Sequence, residues 1–276
     1  MVVTNLNFKD SSNVSALDYL WCYRLARIKR YADKFYDLLE VQRTIGNWQE
    51  AMLFRFGMKK EFVMRLRDGR SMKIDKVADY FNFWTLQKWD WLNPKNRVIV
   101  DVGAWDGDTA IYFALNGARH VYAFEPYPYS YRIAKRNVAE AGLSGKITMV
   151  NEGCGKSDTI LIDGRYRNKV TSSLEDFRKG KKIRIRSLAE IRDKYRIKNG
   201  LLKIDCEGHE YELLLGADSK ALRSFERIIL GYHHGYKNLA RKLRGNGFAV
   251  KYKLPLYDEN LRIGTGLMYA ERLRGR

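Results

Sequence analysis

The stretch VIVDVGAWDGDTAIYFALNGA, residues 98–118, decides the fold. It begins with a β-branched run that reaches Asp101, turns at Gly103 and Gly107, and continues with the apolar spacing of a helix. The two glycines have no Cβ, so the backbone can turn tightly there and approach a ligand closely. The pattern therefore predicts a buried strand, a ligand-binding turn and a helix.

The same alternation continues toward the C-terminus. Strands are predicted at 98–102, 120–125, 146–151, 201–205, 227–232 and 248–253. Helices are predicted at 107–116, 128–142, 188–196, 209–216 and 236–245. Strands that alternate with helices pair in parallel and carry helices on both faces of the sheet. The closing segments FAVKYKL and GLMYAERL predict a hairpin that completes one edge.

On the N-terminal side the pattern is different. A helix is predicted over 15–42, and KKEFVMRLRDGRSMKID predicts a β-hairpin that turns at Asp68 and Gly69. The aromatic-rich segment YFNFWTLQKWDWLNPKN follows and reaches Pro94. We therefore expect a helix-and-hairpin extension over 1–93 and a main domain over 94–276.

Composition limits the class of protein. With 45% hydrophobic and 30% charged residues, the chain can bury a substantial core. No apolar run approaches the ~18 residues of a membrane-spanning helix, so no membrane span is expected. Cys22, Cys154 and Cys206 are widely spaced, which argues against disulfides and a zinc site and favours the cytoplasm.

The net charge of +19 is unevenly distributed. Residues 165–198 carry +9, whereas residues 98–164 carry −2. A basic segment beside a slightly acidic one favours an anionic small-molecule or glycan acceptor, or RNA, although solvated lysines that only aid solubility remain an alternative.

The glycine turn itself indicates a cationic nucleoside. Its spacing is not G-x-G-x-x-G, and Asp101, Asp106 and Asp108 crowd it with negative charge, which suits a cation better than a phosphate. Glu125 ends the next strand, where a carboxylate accepts hydrogen bonds from ribose hydroxyls. A nucleoside with a positive centre is S-adenosyl-L-methionine, which we predict as the cofactor.

Three motifs, DVGAWDGDTA, AFEPYP and LLKIDCEGHEYELLLGA, resemble those of the FkbM family of methyltransferases in order and spacing. The resemblance implies a class I methyltransferase (Rossmann-like) α/β fold: a mostly parallel seven-stranded sheet with helices on both faces. It also implies methylation of a hydroxyl oxygen on a sugar or other small molecule.

The same resemblance implies a cofactor site. Carried onto this sequence, it places Asp101, Gly103 and Gly107 at the methionine part and Glu125 at the ribose, with Glu152, Gly153 or Cys154 beside the adenine. The remaining predicted cofactor residues are Ala104, Trp105, Pro126 and Asp205.

Catalytic candidates follow the fourth and fifth predicted strands of the main domain. A hydroxyl is a poor acid, so its methylation needs a base or a metal ion. The predicted catalytic residues are Asp205, Glu207, His233 and His234. We assign no metal ligand, although Asp205, Glu207 and a histidine suit a divalent cation as an alternative.

Two rival functions stay open at this point. The first is methylation of tRNA or rRNA through the basic surface. The second is a non-catalytic protein that binds nucleic acid on a methyltransferase fold. No RRM, KH or helix-turn-helix signature supports the second.

Overall fold

The computed structural model describes residues 46–55, 58–59, 62–65, 71–74, 83–156, 158–162, 180–253, 256–258 and 263–273. The predicted helix over 15–42, the turn at Asp68 and Gly69, and residues 165–179 of the basic segment lie outside them. Within the described residues, no helix combines the length and apolarity needed to pass through a membrane.

The described strands, numbered along the chain, are β1 Phe62–Arg65, β2 Ser71–Ile74, β3 Val98–Val102, β4 His120–Phe124, β5 Ile147–Val150, β6 Gly153–Cys154, β7 Asp158–Ile162, β8 Lys181–Arg186, β9 Gly200–Ile204, β10 Phe225–Tyr232, β11 Phe248–Tyr252, β12 Leu256–Asp258 and β13 Ile263–Arg272. The helices are α1 Trp48–Arg55, α2 Asp108–Leu115, α3 Pro128–Glu140, α4 Leu188–Tyr195, α5 Glu210–Gly216, α6 Ser219–Leu222 and α7 Lys237–Gly245. A 3-10 helix covers Phe83–Leu92.

The main sheet has the strand order β11-β13-β10-β9-β3-β4-β5, and β12 pairs with β13 beside this row. Neighbouring strands in the part of this row that contains β10, β9, β3, β4 and β5 pair in parallel. The last strand, β13, is antiparallel to both β10 and β11 because it returns through a hairpin rather than a helical crossover. The predicted class I methyltransferase fold and the predicted hairpin are both confirmed, with β13 inserted one position inside the edge.

Each face of this sheet carries its own apolar core. Side chains alternate along a strand, so Ile99 of β3 packs on one face and Val100 on the other. The first face is covered by α2 with Phe113, and the second by α5 with Leu213. Burial on both faces explains why the central strands are continuous apolar runs rather than alternating ones.

The described part of the N-terminal segment joins this core. β1 and β2 form the predicted antiparallel hairpin. The 3-10 helix buries Leu86, Trp89 and Leu92 in the same core as Ile99. Residues 83–92 therefore pack on the sheet although they precede the predicted domain boundary, which itself stays a prediction.

A small second sheet of order β6-β8-β7 follows β5. Tyr127 packs with Ile162 of β7 and Ile183 of β8, which holds this sheet against the loop after β4. Lys181 of the basic strand β8 donates a hydrogen bond to Asn151 Oδ1 (3.2 Å). The end of the basic segment thus lies close to the loops that follow β4 and β5.

Candidate active site

A cleft opens where β3, β4 and β9 end, and its space, counted with its open mouth, is about 890 Å³. The carboxyl ends of parallel strands are the place where open α/β sheets bind ligands. Eight of the predicted cofactor residues line it: Gly103, Trp105, Glu125, Pro126, Glu152, Gly153, Cys154 and Asp205. Asp101, Ala104 and Gly107 do not line it.

The glycine turn is required by a close backbone approach. Gly103 has a φ of 76°, and a Cβ there would lie 2.0 Å from the carbonyl oxygen of Asp205. Gly107 has a φ of 87° and begins α2, where a Cβ would press against Ala134 of α3 at 3.3 Å. Gly103 thus lets the ends of β3 and β9 meet, and Gly107 lets two helices pack closely.

Asp101 supports the turn from behind. Its carboxylate is fully buried, accepts a hydrogen bond from Thr109 Oγ1 (2.6 Å) and pairs with the ammonium of Lys203 (2.9 Å). Lys203 also donates to the carbonyl of Gly103 (2.8 Å). Burial opposes the charge on Lys203, but Asp101, Asp205 and Asp108 together outweigh it and raise the pKa of Lys203. The pair of Asp101 and Lys203 fixes the turn, and of the two residues only Lys203 lines the cleft.

Glu125 faces the cleft with both oxygens held by the backbone. The N–H of Trp105 donates to Oε2 (3.0 Å) and the N–H of Tyr127 donates to Oε1 (2.9 Å). Burial raises the pKa of Glu125 to about 8. Trp105 adopts a φ of 41°, a left-handed conformation that is unusual for a bulky residue and that aims its N–H at Glu125.

The acidic turn carries less negative charge than its sequence suggests. Burial raises the pKa of Asp106 well above its usual range, with the neighbouring Asp108 adding to the shift. Burial also raises the pKa of Asp108 to about 6, although Lys203 and Lys88 oppose the shift. Of the two, Asp108 lines the cleft and Asp106 does not.

The opposite end of the cleft is formed by the segment after β5. The carboxylate of Glu152 is held by the guanidinium of Arg186, whose Nη2 donates to Oε1 (2.8 Å). Cys154 is buried beside Gly153, and burial raises the pKa of its thiol. An ion pair therefore braces this end of the cleft.

Acidic and imidazole groups meet where β9 and β10 end. Asp205, Glu207 and His233 offer ligand atoms that all lie within 4.8 Å of one another. His233 Nδ1 lies 2.9 Å from Oε1 of the fully buried Glu210, and His233 Nε2 lies 3.4 Å from Oε2 of Glu207. Glu207 has a φ of 51°, and left-handed backbone of this kind costs about 1–3 kcal/mol. The fold thus holds Glu207 against an unfavourable backbone preference.

The charges in this cluster assign the proton. Burial opposes a charged imidazole, but Glu210, Glu207 and Asp205 together raise the pKa of His233 to about 9. Burial raises the pKa of Glu207 to about 7, although His233 opposes the shift. At neutral pH, His233 is therefore an imidazolium that has no lone pair to accept a proton, and Glu207 is the group poised to accept one.

The other two histidines near this rim differ in position. His234 packs against the ring of Tyr211 at 5.5 Å, and its Nε2 faces Gly208. His209 begins α5 without a side-chain cap and lines the cleft.

A lysine from the 3-10 helix completes the rim. Lys88 and Trp89 both line the cleft, and Lys88 Nζ lies 3.6 Å from Asp205 Oδ2. Burial opposes ionisation of Asp205, but Lys88, Lys203 and His233 lower its pKa below the usual value. Asp205 is therefore a carboxylate paired with a cation that comes from far away in the sequence.

A family model for the methyltransferase FkbM domain matches residues 101–250. The chain belongs to the FkbM methyltransferase family. The resemblance expected from the three motifs is confirmed, and this FkbM protein is a methyltransferase whose cofactor is S-adenosyl-L-methionine. The matched segment runs from β3 to β11 and leaves out Lys88 and Trp89.

The FkbM chain is also similar to several solved structures. One is M. capricolum TrmK in complex with S-adenosyl-homocysteine, with 17% identity, 68% of each chain covered and a TM-score of 0.47. A second is an rRNA methylase from Streptococcus thermophilus, with 14% identity, 68% of this chain and 95% of that chain covered, and a TM-score of 0.45. A third is M. jannaschii TYW2 in complex with AdoMet, with 16% identity, 78% and 88% covered, and a TM-score of 0.46. No curated protein matches the chain.

Three residues of the FkbM site are not predicted by the sequence. Lys88 and Trp89 lie in the aromatic-rich segment before Pro94, and the tryptophan content of this segment was the available signal. That Trp89 is buried is visible only in the structure. Glu210 lies in the first turn of α5, where an acidic residue is ordinary, and nothing in the sequence marks it as buried.

Proposed function

We propose that this FkbM methyltransferase methylates a hydroxyl oxygen of a sugar or another small molecule. The observation that carries the proposal is the cluster of Glu207, His233 and Glu210 at the rim of the cleft, beside the glycine turn. An alcohol acceptor needs a group that takes its proton, and this cluster offers a carboxylate with a pKa of about 7 at that place.

The residues of the cleft fit the cofactor in shape and chemistry. Gly103 lines the cleft without a side chain, and the buried carboxyl of Glu125 lines it where a ribose would lie. We assign Gly103, Trp105 and Asp205 to the methionine part and Glu125 with Pro126 to the ribose. Glu152, Gly153 and Cys154 are assigned to the adenine, with Asp101, Ala104 and Gly107 shaping the turn from behind.

The chemistry divides between cofactor and protein. When bound, S-adenosyl-L-methionine supplies a methyl group activated on a sulfonium sulfur. Glu207 accepts the proton that the acceptor hydroxyl releases. His233 holds the Glu207 carboxylate through Nε2, while Glu210 holds Nδ1 and keeps the ring charged. His233 thus acts as a positioning residue rather than as the base, and His234 has no assigned contact with the acceptor.

The test uses methyl-labelled S-adenosyl-L-methionine and fractionated cell extract. We expect the label in hydroxyl-bearing small molecules or glycans. Glu207→Gln should lose the label while still binding the cofactor, whereas the exposed control Glu140→Gln should behave as wild type. Label that Glu207→Gln still transfers at the wild-type rate contradicts Glu207 as the base.

A second candidate is methylation of RNA, favoured by the exposed cations of β8, Lys181, Lys182 and Arg184. The same labelling experiment separates the two, because label in RNA would replace label in small molecules. An anionic small acceptor fits the same strand. We propose the cytoplasm as the compartment, since the two cysteines that the structure describes are both free thiols.

A further inference from the structure

Lys88 and Asp205 form a pair of opposite charges at the mouth of the cleft. Lys88 Nζ lies 3.6 Å from Asp205 Oδ2, which is longer than a good charge-assisted hydrogen bond. Each side chain keeps 27% of its surface exposed. A partly solvated pair of this kind contributes little, so it opens at small cost when a better partner for each charge arrives.

The position of Lys88 is set by its neighbours in the 3-10 helix. Trp89 is buried in the core beneath the cleft, and the Lys88 ammonium lies 4.4 Å from the centre of the Trp89 ring. Asp90 accepts a hydrogen bond from Tyr112 Oη (2.7 Å), and Arg227 donates to the carbonyl of Trp91 (3.1 Å). These contacts hold the segment against α2 and β10, so Lys88 is presented from a fixed support.

The second lysine that lines the cleft, Lys203, already has partners on the side of the glycine turn. Lys203 pairs with Asp101 and donates to the carbonyl of Gly103, and it is almost completely buried. Lys88, by contrast, contacts the partly buried carboxylate of Asp205 at the rim. An anion that enters this part of the cleft therefore meets the ammonium of Lys88.

We propose that Lys88 and Asp205 together bind the zwitterionic amino-acid end of the cofactor, with Lys88 on the α-carboxylate and Asp205 on the α-ammonium. The pair already holds one positive and one negative group side by side, as the two charges of such a zwitterion require. Each then exchanges a weak contact for a charge-assisted hydrogen bond. This inference rests on the cofactor placement proposed above and adds a residue from outside the segment 101–250 that defines the family.

The experiment compares two nucleosides by isothermal titration calorimetry. S-adenosyl-L-homocysteine carries the amino-acid end, whereas 5′-methylthioadenosine has the same nucleoside and sulfur without it. Lys88→Met should weaken binding of the first by about 10- to 100-fold, the range for a lost hydrogen bond to a charged group, and leave the second unchanged. Asp205→Asn should likewise weaken binding of S-adenosyl-L-homocysteine and leave binding of 5′-methylthioadenosine unchanged.

Matched variants separate charge from structure. Lys88→Arg keeps the cation and should recover most of the affinity for S-adenosyl-L-homocysteine, and the exposed Lys135→Met should bind both nucleosides as wild type does. If Lys88→Met does not fold, Lys88→Gln takes its place, with the same expectation.

Three results overturn the inference. The first is equal affinity of Lys88→Met and the wild type for S-adenosyl-L-homocysteine. If, in addition, the KM of Lys88→Met for the acceptor is raised, Lys88 belongs to the acceptor site. An equal loss for both nucleosides also overturns it, because the effect would not depend on the amino-acid end. Failure of the wild-type protein to bind either nucleoside would contradict the cofactor placement itself.

Discussion

Glu207 Oε2 lies 3.4 Å from His233 Nε2, so the ends of two neighbouring strands meet as a carboxylate and an imidazolium. Burial raises the pKa of Glu207 to about 7, and the surrounding carboxylates hold the pKa of His233 at about 9. Between these values, Glu207 is negative and His233 positive. A base of this kind is matched to neutral pH, where it can both take and release a proton.

The first prediction concerns Glu207. Glu207→Gln should lower kcat by about 10²- to 10⁴-fold, the usual contribution of a general base, with little change in cofactor affinity. In the wild type, kcat/KM should rise with pH through about 7 as Glu207 loses its proton, and this rise should be absent in Glu207→Gln. Steady-state rates measured between about pH 5.5 and about pH 9 give both the loss of kcat and the pH dependence of kcat/KM. An unchanged rise in the variant would assign it to another group.

The second prediction concerns His233. Its positive charge lowers the pKa of Glu207, so His233→Gln should move the rise in kcat/KM to higher pH and reduce the rate at pH 7 more than at pH 9. Glu210→Gln should lower the pKa of His233, because Glu210 stabilises the imidazolium. A rate that falls equally at every pH would point to a structural defect.

The third prediction concerns Glu125. Glu125→Ala should weaken cofactor binding by about 1.5–3 kcal/mol, the range for a lost hydrogen bond to a charged group. Calorimetry with S-adenosyl-L-homocysteine measures it. Equal affinity of the variant and the wild type would remove Glu125 from the ribose site.

The same carboxyl predicts how binding depends on pH. The pKa of Glu125 is about 8. Only the ionised carboxylate can accept hydrogen bonds from both ribose hydroxyls and, at the same time, from the backbone N–H groups of Trp105 and Tyr127. Affinity should therefore rise with pH through about 8, and binding at pH 7 should release a proton. Titrations in buffers of different ionisation enthalpy detect that proton, and Glu125→Gln should not release it.

The fourth prediction concerns the basic segment. Lys181 and Lys182 are exposed on β8, and Lys179 lies outside the described residues. Replacing all three with Gln should raise the KM for an anionic acceptor and leave cofactor affinity unchanged. A steep loss of acceptor binding with salt would favour RNA, and a shallow one a small acceptor. Unchanged acceptor kinetics would leave these lysines as solvated surface.

The fifth prediction concerns metal ions. Asp205, Glu207 and His233 lie close enough together to share a cation, but Lys88 and the imidazolium of His233 already bring positive charge to them. We expect the initial rate to be unchanged by excess EDTA. A loss that added Mg²⁺ restores would show that these three side chains hold a divalent ion.

Local pattern was sufficient for most of the fold. The β-branched run before Asp101 predicted β3, and the helical spacing after Gly107 predicted α2, because burial on both sides of a parallel sheet leaves apolar runs and amphipathic helices in the sequence. The same logic predicted β4, the strand that Glu125 directly follows. Gly103 was recognisable as a turn residue, but the reason for it, the carbonyl of Asp205 behind it, was not.

The sequence by itself determined the alternation of strands and helices in the main sheet, the family and the glycine turn after β3, since all three depend on neighbouring residues. Only the tertiary structure decided the chemistry of the rim. Lys88 reaches Asp205 across more than a hundred residues of chain, and Glu210 holds His233 across two elements. At neutral pH His233 therefore keeps its proton, whereas Glu207, with a pKa of about 7, both takes and releases one. Burial and charges from distant segments set the pKa of each group, and no local pattern records them.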